Sequence, residues 1–327
     1  MRITAPTPKA YPNTDSRPTW SPDTRRVIAE VGSDTVVATR NAPSETESFG
    51  ENPTWVNYPD WSPKGDRVAF SAHTSRAQGK EASWGIYLCD QDGTNYKRIL
   101  NDAKEPEYSP DGDRIAYQLV KRGSRDRLAV SDAEGNNTQI VGGGGMLQTD
   151  CSWDPQGHQI AYDTYKDGRF QLRVTDITGK KDRTLTDGRG GFYKDRTPEW
   201  SPQGDKILFE RHDRVVPRSD LWTIDLKNGQ EKQLTSFPGR VYDAAWSPDG
   251  EKIAFVSSMK GGDETDLYLM DSDGKNVKVL SELPGDEHAP SWSPDGEAVA
   301  FTRIDWDRRR NDPDRYNLHV VELGSKQ

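Results

Sequence analysis

Cysteine, long apolar runs and excess positive charge are all scarce in this chain of 327 residues. The two cysteines, Cys89 and Cys151, exclude a disulfide framework and have no metal-type spacing. No stretch approaches the roughly 18 apolar residues of a membrane helix, so we expect no membrane insertion. The 44 basic and 53 acidic residues give a formal net charge of -9. This acidic balance disfavours nucleic acid as a partner.

Apolar residues are also few, at 32% of the chain, and the mean hydropathy is -0.94. Such values are typical of disordered chains. The 10 tryptophans and 12 tyrosines argue for a packed fold instead, because disordered chains are poor in aromatic residues. Residues 1–6 contain no apolar segment of the kind found in a signal peptide, so the sequence as it stands predicts no secretion signal.

One short phrase, an aromatic residue followed by Ser-Pro-Asp-Gly or a close variant, occurs seven times. The aromatic positions are separated by 41, 47, 45, 47, 46 and 46 residues; they are Trp20, Trp61, Tyr108, Trp153, Trp200, Trp246 and Trp292. Proline at the second position and glycine near the end suit a tight turn, so we assign the aspartates of these turns a structural role. A regular period of this length indicates a repeat architecture.

Each copy continues with short alternating strands separated by turn signals, such as Ile253-Ala254-Phe255 and Leu267-Tyr268-Leu269. Four short strands in about 45 residues form one blade of a β-propeller. We therefore predict an all-β fold, with residues 1–327 as one seven-bladed β-propeller of four-stranded antiparallel blades. The last copy lacks its final strand, and the segment Arg2-Ile3-Thr4 resembles that strand. We expect it to close the ring, because an open ring leaves unpaired sheet edges.

The phrases Trp246-Ser-Pro-Asp-Gly-Glu-Lys-Ile-Ala-Phe255 and Leu267-Tyr-Leu-Met-Asp-Ser-Asp-Gly274 resemble the TolB-type, WD40-like (PD40) propeller repeat. The resemblance extends from Pro18 to Glu322. It implies the propeller fold. Since these propellers are mostly periplasmic or secreted, it also implies an exported protein, with a cytoplasmic location as the alternative. TolB itself has six blades and a separate α/β domain, whereas seven copies occur here. The family includes binding scaffolds, lids of peptidases and a lyase that acts on oligogalacturonate.

Most signatures of catalysis are absent. The sequence has no G-x-S-x-G nucleophile elbow, no P-loop and no H-E-x-x-H zinc motif. The Asp-rich turns lack the glycine spacing of a calcium loop. Three of the five histidines, His73, His212 and His288, fall in loops on one face but belong to different blades. We therefore expect no metal and no cofactor, and we expect the protein not to be an enzyme.

Loops between the second and third strands, and connections between blades, should lie on one face, here called the top face. It gathers aromatic and arginine side chains, which are typical of recognition surfaces. The aromatic residues predicted there are Trp55, Tyr58, Trp84, Phe192, Tyr193, Tyr242 and Trp306. The residues that we expect to bind a ligand are Arg127, Arg196, Arg211, Tyr242, Asp243, Glu287, His288, Trp306 and Arg308.

The sequence thus predicts a monomeric, non-catalytic propeller that binds a protein or peptide around the mouth of its central channel. One alternative is a protein that binds or cleaves acidic, uronate-containing polysaccharide, where arginines would neutralise the sugar carboxylates. Another is a structural subunit that associates with itself.

Overall fold

The computed structural model describes residues 2–4, 17–31, 34–40, 42–48, 56–73, 83–120, 126–143, 146–216, 218–261, 264–308 and 315–324. Within these ranges the chain forms seven four-stranded antiparallel sheets and a single helical turn, α1 (Gly188–Gly191). The predicted seven-bladed propeller is therefore confirmed. Trp55 and the middle of the loop after Trp306, residues 309–314, lie outside the described residues.

In blades 1 to 6 the strands follow one another in the chain, from the innermost to the outermost. Blade 1 contains β2 (Thr19–Trp20), β3 (Arg26–Val31), β4 (Asp34–Thr39) and β5 (Ala42–Ser48). Blade 2 contains β6 (Val56–Trp61), β7 (Arg67–His73), β8 (Trp84–Asp90) and β9 (Lys97–Asn101). Blade 3 contains β10 (Ala103–Tyr108), β11 (Arg114–Leu119), β12 (Arg127–Asp132) and β13 (Gln139–Ile140).

Blade 4 contains β14 (Met146–Trp153), β15 (Gln159–Lys166), β16 (Arg169–Asp176) and β17 (Asp182–Thr184). Blade 5 contains β18 (Tyr193–Trp200), β19 (Lys206–Asp213), β20 (Ser219–Asp225) and β21 (Glu231–Gln233). Blade 6 contains β22 (Val241–Trp246), β23 (Lys252–Ser257), β24 (Asp266–Asp271) and β25 (Lys278–Ser281). Blade 7 contains β26 (Asp286–Trp292), β27 (Ala298–Ile304), β28 (Tyr316–Glu322) and β1 (Arg2–Thr4).

The last blade takes its outer strand from the start of the chain. Strand β1 pairs antiparallel with β28, and the register places Ile3 opposite Leu318. Each innermost strand contacts the innermost strands of both neighbouring blades, including β26 against β2. The ring is therefore closed as the sequence predicts, and the sheet edge of β28 is covered.

The repeated tryptophans pack between neighbouring sheets. Trp20 of blade 1 belongs to a buried cluster with Ala300 and Val320 of blade 7, and Trp61 of blade 2 packs in a cluster with Ile28 of blade 1. Each cluster joins two blades, so burial of the aromatic rings supplies the adhesion around the ring. This packing explains how a chain with 32% apolar residues can build a core.

The Ser-Pro-Asp-Gly turns are held by hydrogen bonds within the turn. In blade 6, the Ser247 hydroxyl donates to Asp249 at 2.6 Å and accepts from the Lys252 amide at 2.9 Å. Blades 1, 3 and 7 repeat the contact between serine and aspartate. The aspartates therefore stabilise turns, in agreement with the role predicted from the sequence.

Blade 1 departs from this turn at one position. Thr24 stands where Gly296 stands in blade 7, and both have left-handed backbones, with φ of 62° and 72°. Both amides donate to the carbonyl of the first serine in the turn, at 2.9 and 2.8 Å. A left-handed conformation disfavours threonine because its Cβ crowds the backbone.

We predict that Thr24→Gly raises the free energy of unfolding by about 0.5–1 kcal/mol. The left-handed backbone costs a side-chain-bearing residue roughly 1–2 kcal/mol, and the greater chain entropy of glycine offsets part of the gain. Gly296→Thr is the matched reverse change and should lower stability by a similar amount. Urea unfolding of the three proteins measures both effects, and a destabilised Thr24→Gly protein would contradict this account.

Candidate functional site

A bulge interrupts the innermost strands a few residues before the repeated aromatic position. The pairing of blades 2 to 7 shifts register there, for example between Asn57 and Asp60 in blade 2. The residue three places before the aromatic is left-handed without being glycine at Tyr58, Glu105, Thr197, Asp243 and Ala289. A proline follows it at residues 59, 106, 198 and 290. Proline suits a bulge because no ladder hydrogen bond is needed from it.

The residue just before the aromatic then links each blade to the next. Its side chain accepts a hydrogen bond from the backbone amide of the aromatic residue in the following blade. The donor-to-acceptor distances are 3.3 Å for Trp61 to Thr19, 2.7 Å for Tyr108 to Asp60, 3.4 Å for Trp153 to Glu107, 3.1 Å for Trp200 to Ser152 and 3.0 Å for Trp246 to Glu199. We call these five contacts the axial belt. They place polar side chains, three of them carboxylates, around the ring axis.

A cavity of about 400 Å³ lies inside this belt, within the range of about 300–1,000 Å³ typical of small-ligand sites. It is bordered by the last residues of the innermost strands, next to the turns of the face opposite the top face. Its charged lining residues are one arginine and four acids, namely Arg17, Asp60, Glu105, Glu107 and Glu199. None of the nine residues predicted to bind a ligand lines this cavity.

Burial dominates the ionisation of two of these acids. Burial raises the pKa of Asp60 to about 7, although the Tyr108 amide and Thr19 favour the charged form. Burial also raises the pKa of Glu199 above its usual range, against the opposing effects of Arg17 and the Trp246 amide. The axis therefore holds carboxyl groups whose charge depends on their partners and, for Asp60, on pH near neutrality.

Three of the predicted residues, Tyr242, Asp243 and His288, meet between the innermost strands of blades 6 and 7. The rings of Tyr242 and His288 stack with centroids 6.4 Å apart, and His288 Nδ1 lies 3.9 Å from Asp243 Oδ2. The Asp243 amide donates to Glu210 of blade 5 at 2.7 Å, and Glu210 contacts His212 at 2.7 Å. Glu210 and His212 were not among the residues proposed as ligand-binding from the sequence.

Arg211 and Glu287 are both buried inside blades. The Arg211 guanidinium contacts Asp195 at 2.7 and 2.8 Å and Glu231 at 2.7 and 3.2 Å, and it lies over the ring of Trp222. Glu287 is fully buried and accepts from the Leu267 amide and the Ser281 hydroxyl, both at 2.6 Å. These contacts give both side chains a structural role.

The other predicted residues are more exposed. Arg196 forms an ion pair at 3.5 Å with the buried Asp163, and Arg127 begins β12 at the top face. Arg308 donates to Asp305 at 3.1 Å. Trp306 is 50% exposed and donates to Asp286 at 2.5 Å, and Arg315 lies over its ring.

Three exposed apolar side chains of the top face lie on blade 5. Phe192 is 73% exposed, Val215 87% and Val216 49%. The Arg214 amide contacts the Phe192 carbonyl at 3.3 Å, and Arg214 Nη1 donates to the Gly191 carbonyl at 2.7 Å, so the two loops lie together. We call Phe192, Val215 and Val216 the blade-5 patch. The sequence predicts Phe192 on the top face but not the two valines beside it, because the pairing of β18 with β19 brings them together.

The other aromatic residues predicted at the top face are partly covered. Tyr58 occupies a bulge and lines the axial cavity. Trp84 packs edge-on against His73 at 5.2 Å, and the ring of Tyr193 lies 5.9 Å from the Arg211 guanidinium. In the described ranges, no group of three or more histidine, cysteine, aspartate or glutamate residues is arranged to hold a metal. No helix among the described residues is long and apolar enough to span a membrane.

The fold and the repeated turn define the class of protein, a seven-bladed β-propeller built from tandem copies of one sheet. The sequence profile of the TolB beta propeller domain, PD40, matches residues 16–225 and 195–320. The chain therefore belongs to the family of TolB-like β-propellers, as the repeated phrase predicts.

Relatives at the sequence level share only part of their length with this chain. The Tol-Pal system protein TolB of Gluconobacter oxydans is 31% identical over 148 residues, which are 44% of this chain and 30% of that protein. The TolB protein of Ruegeria is 28% identical over 209 residues, 56% of this chain and 46% of the relative. The chain thus spans less than half the length of these curated relatives.

Solved structures support the fold alone. The crystal structure of TolB from Acinetobacter baumannii has a TM-score of 0.56 and 18% identity, and the match covers 90% of this chain and 78% of that one. An oligogalacturonate lyase in complex with manganese has a TM-score of 0.66 and 13% identity, over 97% of this chain and 90% of the lyase.

We predict that Asp60 makes stability fall as the pH rises towards neutrality. The pKa of this buried carboxyl lies above its ordinary value of 3.8 in the folded state, so the folded protein holds the additional proton between about pH 4 and pH 7. The stability that this proton contributes is complete below the pKa of the unfolded state, and it is lost as the pH rises through the pKa of the folded state. Relative to Asp60→Asn, the natural protein should lose about 2–3 kcal/mol between about pH 5 and pH 8.

Asp295→Asn is the control for this measurement. Although burial opposes the shift, contacts with Ser293, the Glu297 amide and Arg40 lower the pKa of Asp295 to about 2. The difference in the free energy of unfolding between this variant and the natural protein should stay constant from pH 5 to 8. Urea unfolding at pH 5 and pH 8 measures both differences. If the difference between Asp60→Asn and the natural protein is equally constant, Asp60 is not the titrating group.

Proposed function

We propose that this protein is a non-catalytic scaffold that binds a protein or peptide segment on the top face of blades 5 to 7. The observation that carries the proposal is the exposed apolar surface there. Four of the seven large apolar side chains exposed in the described residues lie on this sector, namely Phe192, Val215, Val216 and Trp306. Exposed apolar groups of this kind, bordered by polar residues, are typical of interaction sites.

The polar surroundings of these residues suit a protein partner. Tyr242 and His288 stack on the innermost strands of blades 6 and 7, Arg214 contacts the loop of Phe192, and Arg308 contacts Asp305 next to Trp306. Aromatic and arginine side chains are enriched where protein interfaces gain most of their binding energy.

Family membership supports the same proposal. The TolB relatives are Tol-Pal system proteins, and we infer by analogy that this propeller also works within an assembly of proteins. The family also supports a periplasmic or secreted location. An acidic polysaccharide remains the alternative ligand, but Arg211, one of the arginines expected to neutralise a uronate, is already bound by two carboxylates of its own blade.

Site-specific photocrosslinking tests the proposal in cells that produce the protein. A benzophenone amino acid at position 192 or 306 should give a discrete adduct with a partner protein, because these side chains project from the proposed surface. The same group at position 96 is the control, since Tyr96 is 44% exposed in a turn on the opposite face. Equal labelling from all three positions, or adducts containing only this chain, would contradict the proposal.

Titration with the partner identified in this way measures the contribution of each end of the surface. We expect Phe192→Ser and Trp306→Ala each to weaken binding by about tenfold, the effect of losing an exposed aromatic anchor. Tyr96→Ser should leave the affinity unchanged. Binding of oligogalacturonate that weakens with salt and is lost in Arg308→Ala, without any protein adduct, would favour the polysaccharide alternative instead.

A further inference from the structure

Arg17 joins two blades on different sides of the axial cavity. It stands three residues before Trp20 in blade 1, and its Nη1 lies 3.3 Å from Glu199 Oε2 in blade 5. Both residues line the cavity, and the Arg17 side chain keeps about a third of its surface exposed, at 35%. A guanidinium group of this chain thus already lies in the cavity, in contact with one of its buried acids.

Besides the Thr197 hydroxyl, which favours the charged form of Glu210, two buried polar atoms in the cavity wall have no hydrogen-bond partner among the described residues. One is the side-chain oxygen of Gln118, whose residue is only 3% exposed. The other is the indole nitrogen of Trp200, whose residue is 7% exposed. A buried polar group without a partner costs roughly 1–3 kcal/mol, so a ligand that reaches either atom gains a hydrogen bond. The indoles of Trp61 and Trp246 also lack a partner among the described residues, but only Trp200 lines the cavity.

The two atoms require hydrogen-bonding groups of opposite kinds. Gln118 Oε1 needs a donor and the Trp200 indole needs an acceptor. The acids Glu107 and Glu199 favour a positive charge on the donor, whereas Glu105 is already paired with Lys104 at 2.8 Å. A guanidinium offers several N–H groups spread over a rigid plane and remains charged when partly buried. A peptide carbonyl supplies the acceptor, so an arginine residue within a peptide carries both groups.

We propose that the axial cavity binds the arginine side chain of a peptide, and that Arg17 partly occupies this site in the free protein as an internal competitor. The incoming guanidinium contacts Glu199 and Gln118, and the adjoining carbonyl accepts from the Trp200 indole. Removal of Arg17 therefore raises the affinity for the external group, since the binding-competent state no longer requires its displacement. This site is separate from the top-face surface, so either proposal can fail without the other.

Calorimetric titration with N-acetyl-L-argininamide tests the site directly. This probe carries one guanidinium and two amide carbonyls, and N-acetyl-L-citrullinamide is its uncharged isostere. We expect Arg17→Ala to bind the arginine probe at least tenfold more tightly than the natural protein does, and to bind the citrulline probe at least tenfold more weakly than the arginine probe. Arg25→Ala, which removes an exposed arginine from the neighbouring turn, should behave like the natural protein.

Two further variants keep the test independent of the folding of any one protein. Arg17→Gln removes the charge but keeps a long polar side chain, and it should tighten binding as Arg17→Ala does. Glu199→Gln combined with Arg17→Ala keeps an oxygen for the Trp246 amide but removes the charge, and it should weaken binding at least tenfold. Thermal melting of each variant confirms that it is folded.

Three results would overturn the proposal. The first is equal binding of the arginine and citrulline probes by the folded Arg17→Ala protein. The second is a lack of binding by both folded Arg17 variants. The third is displacement of the arginine probe by calcium chloride at equal concentration, which would make the cavity a cation site without preference for guanidinium. A failure of the photocrosslinking experiment leaves all three results unaffected.

Discussion

Contact between neighbouring blades at the repeated aromatic position is the constraint on which this structure depends. The aromatic ring packs between two sheets. The backbone amide of the same residue donates a hydrogen bond to the preceding blade, as the Tyr108 amide does to Asp60, which stands just before the aromatic of blade 2. Where that residue is Ala245, the indole of Trp292 donates instead to the Ala245 carbonyl at 3.1 Å. Each blade is thus fixed to the next by one apolar and one polar contact at the same place. Sheets with so few apolar residues depend on that repetition, because each blade buries its faces only against its neighbours.

The same constraint determines the chemistry of the axis. Five of the residues just before the aromatic accept a hydrogen bond through their side chains, and three of these acceptors are carboxylates, so the fold brings negative charge into a partly enclosed space. Burying a charge is unfavourable unless it is paired or bound by hydrogen bonds. The raised pKa values of Asp60 and Glu199 are the consequence. The Arg17 guanidinium offsets part of this cost for Glu199. The inter-blade contact and the polarity of the cavity therefore have a single origin.

The architecture could be predicted from the sequence almost completely, whereas the site could not. The number of blades and the closure by Arg2–Thr4 follow from counting one phrase, because the turn and its period are local features of the chain. Contacts between strands are not local. Arg211 was expected on an exposed loop, but it lies in β19. Asp195 of the neighbouring strand β18 and Glu231 of the outer strand β21 both bind its guanidinium. The axial cavity was missed because Asp60, Glu107 and Glu199 belong to a phrase that predicts only a strand and a turn.

Where a phrase is repeated seven times, its differences carry more information about binding than its common residues do. The serine, proline and glycine of the turn and the aromatic residue have the same structural task in nearly every blade. The position before the aromatic varies among threonine, aspartate, glutamate, serine and alanine, and the position three before it includes both Arg17 and Glu105. A ring of identical blades would surround its axis with one kind of group. The substitutions at these two positions break that symmetry, and they give the cavity an arginine from blade 1 and acids from blades 2, 3 and 5. A cavity that is asymmetric in this way can orient a ligand, which a symmetric one cannot.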